Sequence, residues 1–171
     1  MTSLKLNQIK LLLLDVDGVL TSGHIIYSNA GMETKAFHVK DGLGIKLLIN
    51  AGIDIGIVTG RKSEALLQRC NDLGITLIFD GIKEKGAVLD TILARTGLLA
   101  KQVAFMGDDL PDISLLKKVG VSVAVADAHE NVKKSVDIIT HNKGGNGAVR
   151  ELCEMILKDN GLWDNIIENC I

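Results

Sequence analysis

Four consecutive leucines, Leu11 to Leu14, run directly into Asp15-Val16-Asp17-Gly18-Val19. A short apolar run with no polar alternation is the pattern of a strand covered on both faces, as inside a parallel α/β sheet. In an extended chain, residues i and i+2 project to the same side, so Asp15 and Asp17 share a side where the strand opens to solvent. Ligands of α/β folds bind at that carboxyl end. Two acids beside an apolar strand are costly to desolvate unless a cation or a reaction uses them.

Short β-branched or leucine-rich runs then alternate with helical patterns. Strands are predicted at Ile53–Val58, Ile75–Phe79, Val103–Met106 and Val121–Val125, and helices at Leu43–Asn50, Ser63–Leu73, Lys85–Arg95, Asp112–Lys118, Asn131–Ser135 and Ala148–Asp159. Gly52, Gly74, Gly97 and Gly120 stand just past helical segments, where C-caps favour glycine. This rhythm predicts an α/β fold, a parallel sheet with helices on both faces. One piece departs from it: His24–Tyr27 and Thr34–Val39 flank Asn29-Ala30-Gly31 and predict a β-hairpin flap over about residues 24–39, beside the two aspartates. With 171 residues, 47% hydrophobic and 23% charged, the chain suits one domain over 1–171 with a substantial core.

The formal net charge of −2 and the scattered lysines and arginines give no basic footprint, which argues against nucleic acid and anionic membranes as partners. Met1–Lys10 is too polar for a signal peptide, and Asp15 interrupts the apolar run before it could span a bilayer. Cys70, Cys153 and Cys170 are odd in number and far apart, as reduced thiols are. A soluble, cytoplasmic protein is expected.

Four sites fall at the carboxyl ends or helix starts of successive units: Asp15 and Asp17, then Thr59-Gly60-Arg61, then Lys85, then Gly107-Asp108-Asp109-Leu110-Pro111-Asp112. Singly, Thr59 reads as a helix N-cap, Lys85 as a solvated lysine and Asp108 or Asp109 as an N-cap. Together on one sheet edge they suit phosphoryl transfer through an aspartyl-phosphate. A carboxylate meeting a phosphate dianion requires a divalent cation and a lysine to neutralise the repulsion. Asp15, Asp108 and a backbone carbonyl near Asp17 offer hard oxygens for Mg²⁺. Lys85 would hold phosphate and nucleophile, Thr59 would donate its hydroxyl with the amides after it, and Asp17 would act as general acid and then base.

Asp-Val-Asp-Gly-Val, Thr-Gly-Arg, Lys85 and Gly-Asp-Asp-x-x-Asp, in this order, resemble the four motifs of the haloacid dehalogenase (HAD) superfamily of phosphatases. The resemblance implies a Rossmann-like sheet, Asp15 as nucleophile, Asp17 as acid/base, and Mg²⁺ on Asp15, the Asp17 main-chain carbonyl and Asp108. Asp109 and Asp112 would stand behind those ligands and fix their loop. No large insert separates Asp17 from Thr59 or Lys85 from Asp108, so the chain resembles the capless subgroup, in which neighbouring subunits complete the pocket. That implies a homo-oligomer, a tetramer in that group, with Ile25, Ile26 and Phe37 of the flap as contact surface.

Longer stretches, Phe37 to Lys46, Thr59 to Lys62, Arg69-Cys70, Val123 to Ala128 and Gly144 to Glu151, are similar to the family of 3-deoxy-D-manno-octulosonate 8-phosphate (KDO 8-phosphate) phosphatases. That similarity implies hydrolysis of KDO 8-phosphate in lipopolysaccharide precursor synthesis. It assigns substrate contacts to Asp17, His38, Val39, Lys40, Asp41, Gly42, Lys46, Gly60, Arg61, Arg69 and Lys85, with Arg69 serving a neighbouring subunit. Arg61, rather than an acid, and the lack of a lysine near Gly74 favour an eight-carbon over a nine-carbon sugar acid. Lys40 and Lys46 stand where arginine is usual, His38 where asparagine is, and Asn146 where arginine is, which trades bidentate reach for a point charge at the two lysines. A nine-carbon ulosonic or sialic acid 9-phosphate phosphatase, a receiver-type phospho-acceptor and an inactive oligomerisation module are the alternatives. For the tail at about 160–171, a docked terminus anchored by Trp163 is expected.

Overall fold

The leucine run forms β1 (Leu11–Leu14) in the computed structural model, which describes residues 6–168. All four leucines are fully buried although successive side chains face opposite ways, so both faces of the sheet are covered. Each contributes roughly 1.5–3 kcal/mol of burial. Five further strands lie parallel with it: β4 (Asp54–Val58), β5 (Leu77–Phe79), β6 (Val103–Gly107), β7 (Val121–Ala124) and β8 (Ile138–Ile139), in the order β5-β4-β1-β6-β7-β8. The chain runs outward from β1 in both directions, so the crevice where the order reverses opens at the end of β1. Leu14 stands level with Ile57 of β4 and Met106 of β6, which brings Asp15, Thr59 and Asp108 to one rim.

The connecting helices are α1 (Val39–Asn50), α2 (Glu64–Leu73), α3 (Lys85–Thr96), α4 (Ile113–Leu116), α5 (Glu130–Lys133), α6 (Ala148–Asp159) and α7 (Trp163–Glu168). On α6, Ala148, Val149, Leu152, Cys153, Ile156 and Leu157 form one buried stripe facing α1 and the core. Cys70 and Cys153 act as small apolar core residues: burial pushes the Cys70 thiol up to about 11 and raises that of Cys153 as well. Cys170 lies outside the described residues. Among the described residues, no helix is long and apolar enough to cross a membrane.

The flap is shorter than its sequence suggests, β2 (Ile26–Tyr27) against β3 (Glu33–Thr34). The predicted second arm stops at Thr34, and α1 starts at Val39 instead of Leu43. His38 is extended ahead of it, and Asp41 in the first turn accepts the amides of Gly147 (3.3 Å) and Arg150 (2.8 Å) from the start of α6. Docking on α6 therefore carries the helix through Gly42 and Gly44 against their intrinsic propensity. Phe37, expected as contact surface, packs partly buried against the chain's own core, whereas Ile25 and Ile26 remain exposed.

The segment expected as one helix over Asp112–Lys118 splits into a 3₁₀ turn at Leu110–Asp112 and the four-residue α4. Pro111 and the capping Asp109 set the turn, and Asp112 is drawn inward. Gly74 and Gly97 close their helices in the left-handed conformation as expected. Gly120 is no such cap: the Lys101 carbonyl oxygen lies where a Cβ would be only 2.3 Å away. The strand β8 and helix α7 are additions that the sequence pattern does not reveal. Trp163 docks partly buried at the start of α7, with Arg150 and Lys158 over its ring at 5.6 and 5.1 Å.

Candidate active site

Pairing continues one residue beyond β1, since the Asp15 amide donates to the Met106 carbonyl at 3.1 Å, and this fixes the carboxylate at the sheet rim. Lys85, the first residue of α3, reaches it from below. Its Nζ lies 2.8 Å from Asp15 Oδ1 and 2.5 Å from Asp112 Oδ1, and its side chain is 5% exposed. The solvated reading of Lys85 is thereby excluded. The other oxygen of Asp112 accepts the amides of Asp108 (2.9 Å) and Asp109 (3.2 Å), so this buried acid clamps the loop after β6 to the lysine. Asp109 accepts the Leu110 amide at 2.8 Å and caps the turn that follows. Gly18 completes the floor: its φ is +91°, and a Cβ there would meet Asp108 Oδ2 at 2.1 Å.

Burial raises the Asp15 carboxyl to about 6 despite the attraction of Lys85. Burial, with repulsion from Asp15 and Asp112, lifts Asp108 further, to about 8. Burial works against the Lys85 charge, yet Asp15 and Asp112 more than offset it and hold its pKa above the ordinary lysine value. One oxygen from each of Asp15, Asp108 and Asp112 falls within 4.8 Å of the others. Both Asp112 oxygens are already engaged, which leaves Asp15 and Asp108 as the acids able to take a hard divalent cation.

A carboxyl raised on folding contributes stability below its unfolded value that is lost as pH rises through the folded one. Without metal, the melting temperature is therefore expected to fall as pH rises from about 4 to about 8, the window set by Asp15 and Asp108. Mg²⁺ should remove most of that fall, and thermal scans in EDTA and in Mg²⁺ across this range measure it. A flat profile in EDTA would contradict the assigned electrostatics.

Thr59 is buried and is not a helix cap, since Ser63 occupies that position for α2. Its amide donates to Phe79 and its carbonyl accepts from Ile82, while its hydroxyl accepts the Arg61 amide at 3.4 Å. Opposite stands the flap. Lys35 Nζ contacts Asp17 Oδ1 at 2.5 Å and Glu33 Oε1 at 3.1 Å. Arg61 donates to Glu33 at 2.7 Å and to the Tyr27 hydroxyl at 3.1 Å. The Arg61 hydrogen bond drives the Glu33 carboxyl down to about 2. Of these, Thr59, Asp17 and Arg61 line a cleft of about 560 Å³ with Asp15, Gly60, Lys85, Asp108, Asp109 and Asp112, and with Gly23, Ile82, Lys83 and Pro111. Lys35 and Glu33 are not among the residues that the motifs single out. Their i, i+2 spacing at the end of a short strand is the available signal, because both reach toward Asp17 and Arg61 from the flap.

The remaining sequence candidates lie apart from that cleft. His38 and Lys40 line a separate cavity of about 430 Å³ with Asn142, Asn146, Gly147, Arg150, Glu151 and Glu154. Asp41 joins α1 to α6, and burial raises its pKa against the bonds it accepts. A Cβ at Gly42 would meet Arg69 Nη2 at 2.2 Å, and the Arg69 guanidinium lies over the Phe37 ring at 5.7 Å. Val39 and Lys46 point to solvent on α1.

Residues 77–152 match the model of the haloacid dehalogenase-like hydrolases. The chain is 44% identical over 160 residues to a 3-deoxy-D-manno-octulosonate 8-phosphate phosphatase of Salmonella typhi, covering 94% of this chain and 85% of that one. It is 47% identical over 149 residues to the Yersinia pestis enzyme of the same name, covering 87% and 80%. The structure superposes with a TM-score of 0.96 on the 3-deoxy-D-manno-octulosonate 8-phosphate phosphatase of Moraxella catarrhalis, solved with magnesium, phosphate and KDO. That match has 41% identity and covers 98% of this chain and 96% of that one.

Proposed function

Because the chain belongs to the 3-deoxy-D-manno-octulosonate 8-phosphate phosphatase family of haloacid dehalogenase-like hydrolases, we propose that its cleft releases phosphate from that sugar acid ester. The observation that carries the reading is Lys85 held between Asp15 and Asp112 at the floor of the cleft, with Asp108 beside them. The enzyme is a Mg²⁺-dependent phosphomonoesterase that converts KDO 8-phosphate and water to KDO and phosphate. Asp15, Asp108 and the Asp17 main-chain carbonyl would hold Mg²⁺, which would supply the positive charge that lets a carboxylate approach a phosphate dianion.

Asp15 attacks phosphorus, and the P–O bond to the sugar breaks as an aspartyl-phosphate forms. Asp17 gives its proton to the departing sugar oxygen, then removes one from the water that hydrolyses the phosphoenzyme. Lys85 holds the nucleophile and a phosphate oxygen, while Thr59 and the amides of Gly60 and Arg61 bind the remaining oxygens. The Arg61 side chain stands at the mouth, where a second anionic group of the substrate would meet it.

Lys46, Arg69 and the His38–Gly42 loop are the residues we assign to a neighbouring copy's substrate, in a homotetramer. Their absence from the lining of the chain's own cleft supports this, as do exposed apolar side chains on the flap and at the start of α1: Tyr27 is 61% exposed, Met32 67% and Val39 78%. The buried thiols Cys70 and Cys153 suit the reducing cytoplasm, where we place the protein.

Phosphate release over a panel of eight- and nine-carbon sugar acid phosphates, with Mg²⁺ and with EDTA, tests the whole reading. The highest kcat/KM is expected for the eight-carbon ester, with loss of turnover in EDTA. Light scattering should give the mass of about four chains. A higher kcat/KM for a nine-carbon ester would reverse the substrate, and a persistent phosphoprotein without turnover would revive the phospho-acceptor alternative.

A further inference from the structure

Among the described residues, the reaction as described makes no use of the buried ammonium of Lys35 on the flap. Its side chain is 1% exposed, and its Nζ bridges Asp17 Oδ1 and Glu33 Oε1. Burying an ammonium is costly without a partner, and here the partner is the carboxyl assigned as acid and base. The second Asp17 oxygen, Oδ2, is itself buried and accepts no hydrogen bond from the described residues, with Arg61 Nε 3.7 Å away. Lys35 thus fixes one oxygen of a carboxyl that lines the cleft.

We propose that Lys35 is a positioning residue: by holding Oδ1 from the flap, it sets the Asp17 carboxyl at the cleft for the ester oxygen that leaves. The inference rests on the acid/base reading of Asp17 given above. As the sugar P–O bond breaks, the Asp17 O–H bond breaks too, the proton passes to the sugar oxygen, and negative charge develops on the carboxylate. A fixed ammonium stabilises that charge without reorganisation and confines the carboxyl to one orientation. Arg61, bonded to Glu33 and Tyr27, braces the flap that carries the lysine.

Leaving-group dependence separates positioning from substrate binding, because general-acid help matters for an alkoxide and hardly at all for p-nitrophenolate. The quantity kcat/KM reports steps up to the phosphoenzyme, so it contains the acid step alone. Lys35→Met should lower kcat/KM for glycerol phosphate, which has no carboxylate, by on the order of 10²-fold, and for p-nitrophenyl phosphate by less than about 3-fold. Lys35→Arg keeps a cation there and should recover most of the loss. With Asp17→Asn already in place, adding Lys35→Met should cost almost nothing, since no acid remains to be held. An equal fall for both esters overturns the proposal, as it marks general damage to the flap. A loss that persists undiminished beside Asp17→Asn overturns it too, as it marks direct substrate contact. If Asp17→Asn alone spares glycerol phosphate turnover, the acid/base assignment has failed, and the proposal falls with it.

Discussion

Replacing Asp15 with asparagine is expected to lower Mg²⁺-dependent phosphate release by on the order of 10⁴-fold or more while leaving the fold intact. The amide has no lone pair basic enough to attack phosphorus, yet it matches the carboxylate in shape and can still meet Lys85. Circular dichroism should therefore be unchanged, and intact-mass measurement should find no phosphoenzyme during turnover. Substantial residual hydrolysis would remove Asp15 as the nucleophile. The same variant carries an electrostatic signature. Asp15 is one of the charges that raise Asp108 to about 8, so its loss should make the fall of melting temperature with pH in EDTA shallower.

Lys85→Met should give the largest stability effect of any single change in the cleft. It removes the ammonium from between Asp15 and Asp112 and leaves two buried carboxylates facing each other. Breaking a buried ion pair from one side costs about 3–5 kcal/mol, and each kcal/mol shifts the melting temperature of a domain of this size by about 2–4 °C. A drop on the order of 10 °C at neutral pH is expected, together with loss of activity. The sign of its pH dependence follows from the burial that already raises Asp15 to about 6 with the lysine present. Without Lys85 the Asp15 carboxyl rises further, so the deficit should be smallest in acid, where it is protonated, and grow as pH increases. Thermal denaturation of both proteins across that range measures it. A melting temperature unchanged at neutral pH would mean that the triad contributes nothing to the fold.

Much of this architecture is legible in the order of the amino acids alone. The leucine run and the glycine-bounded helices imply a doubly covered parallel sheet, and the observed order places β1 at its centre. Asp15, Thr59, Lys85 and Asp108 are legible as a set because each sits at the end of its own apolar strand or at the start of the next helix. The hairpin is legible as a turn flanked by extended residues, but its expected second arm is too long. The hydrophobic pattern of Phe37–Val39 fits a strand, whereas α1 starts at Val39, where Asp41 meets the amides of α6. Gly120 shows the converse error. A glycine after a helix reads as a cap, whereas here the constraint is the Lys101 backbone.

The sequence by itself determined which chemical groups the chain can bring to the sheet edge, because strand alternation and strand-end position are set by neighbours a few residues away. Which carboxylate holds which cation was decided only by the tertiary structure. Lys85 and Asp112 are 27 residues apart and Lys35 and Asp17 are 18 apart, while the Arg150 backbone amide that Asp41 accepts is 109 residues away. No local periodicity encodes such pairings. They arise when packing excludes water and each buried charge must find its partner among whatever the fold has placed within reach.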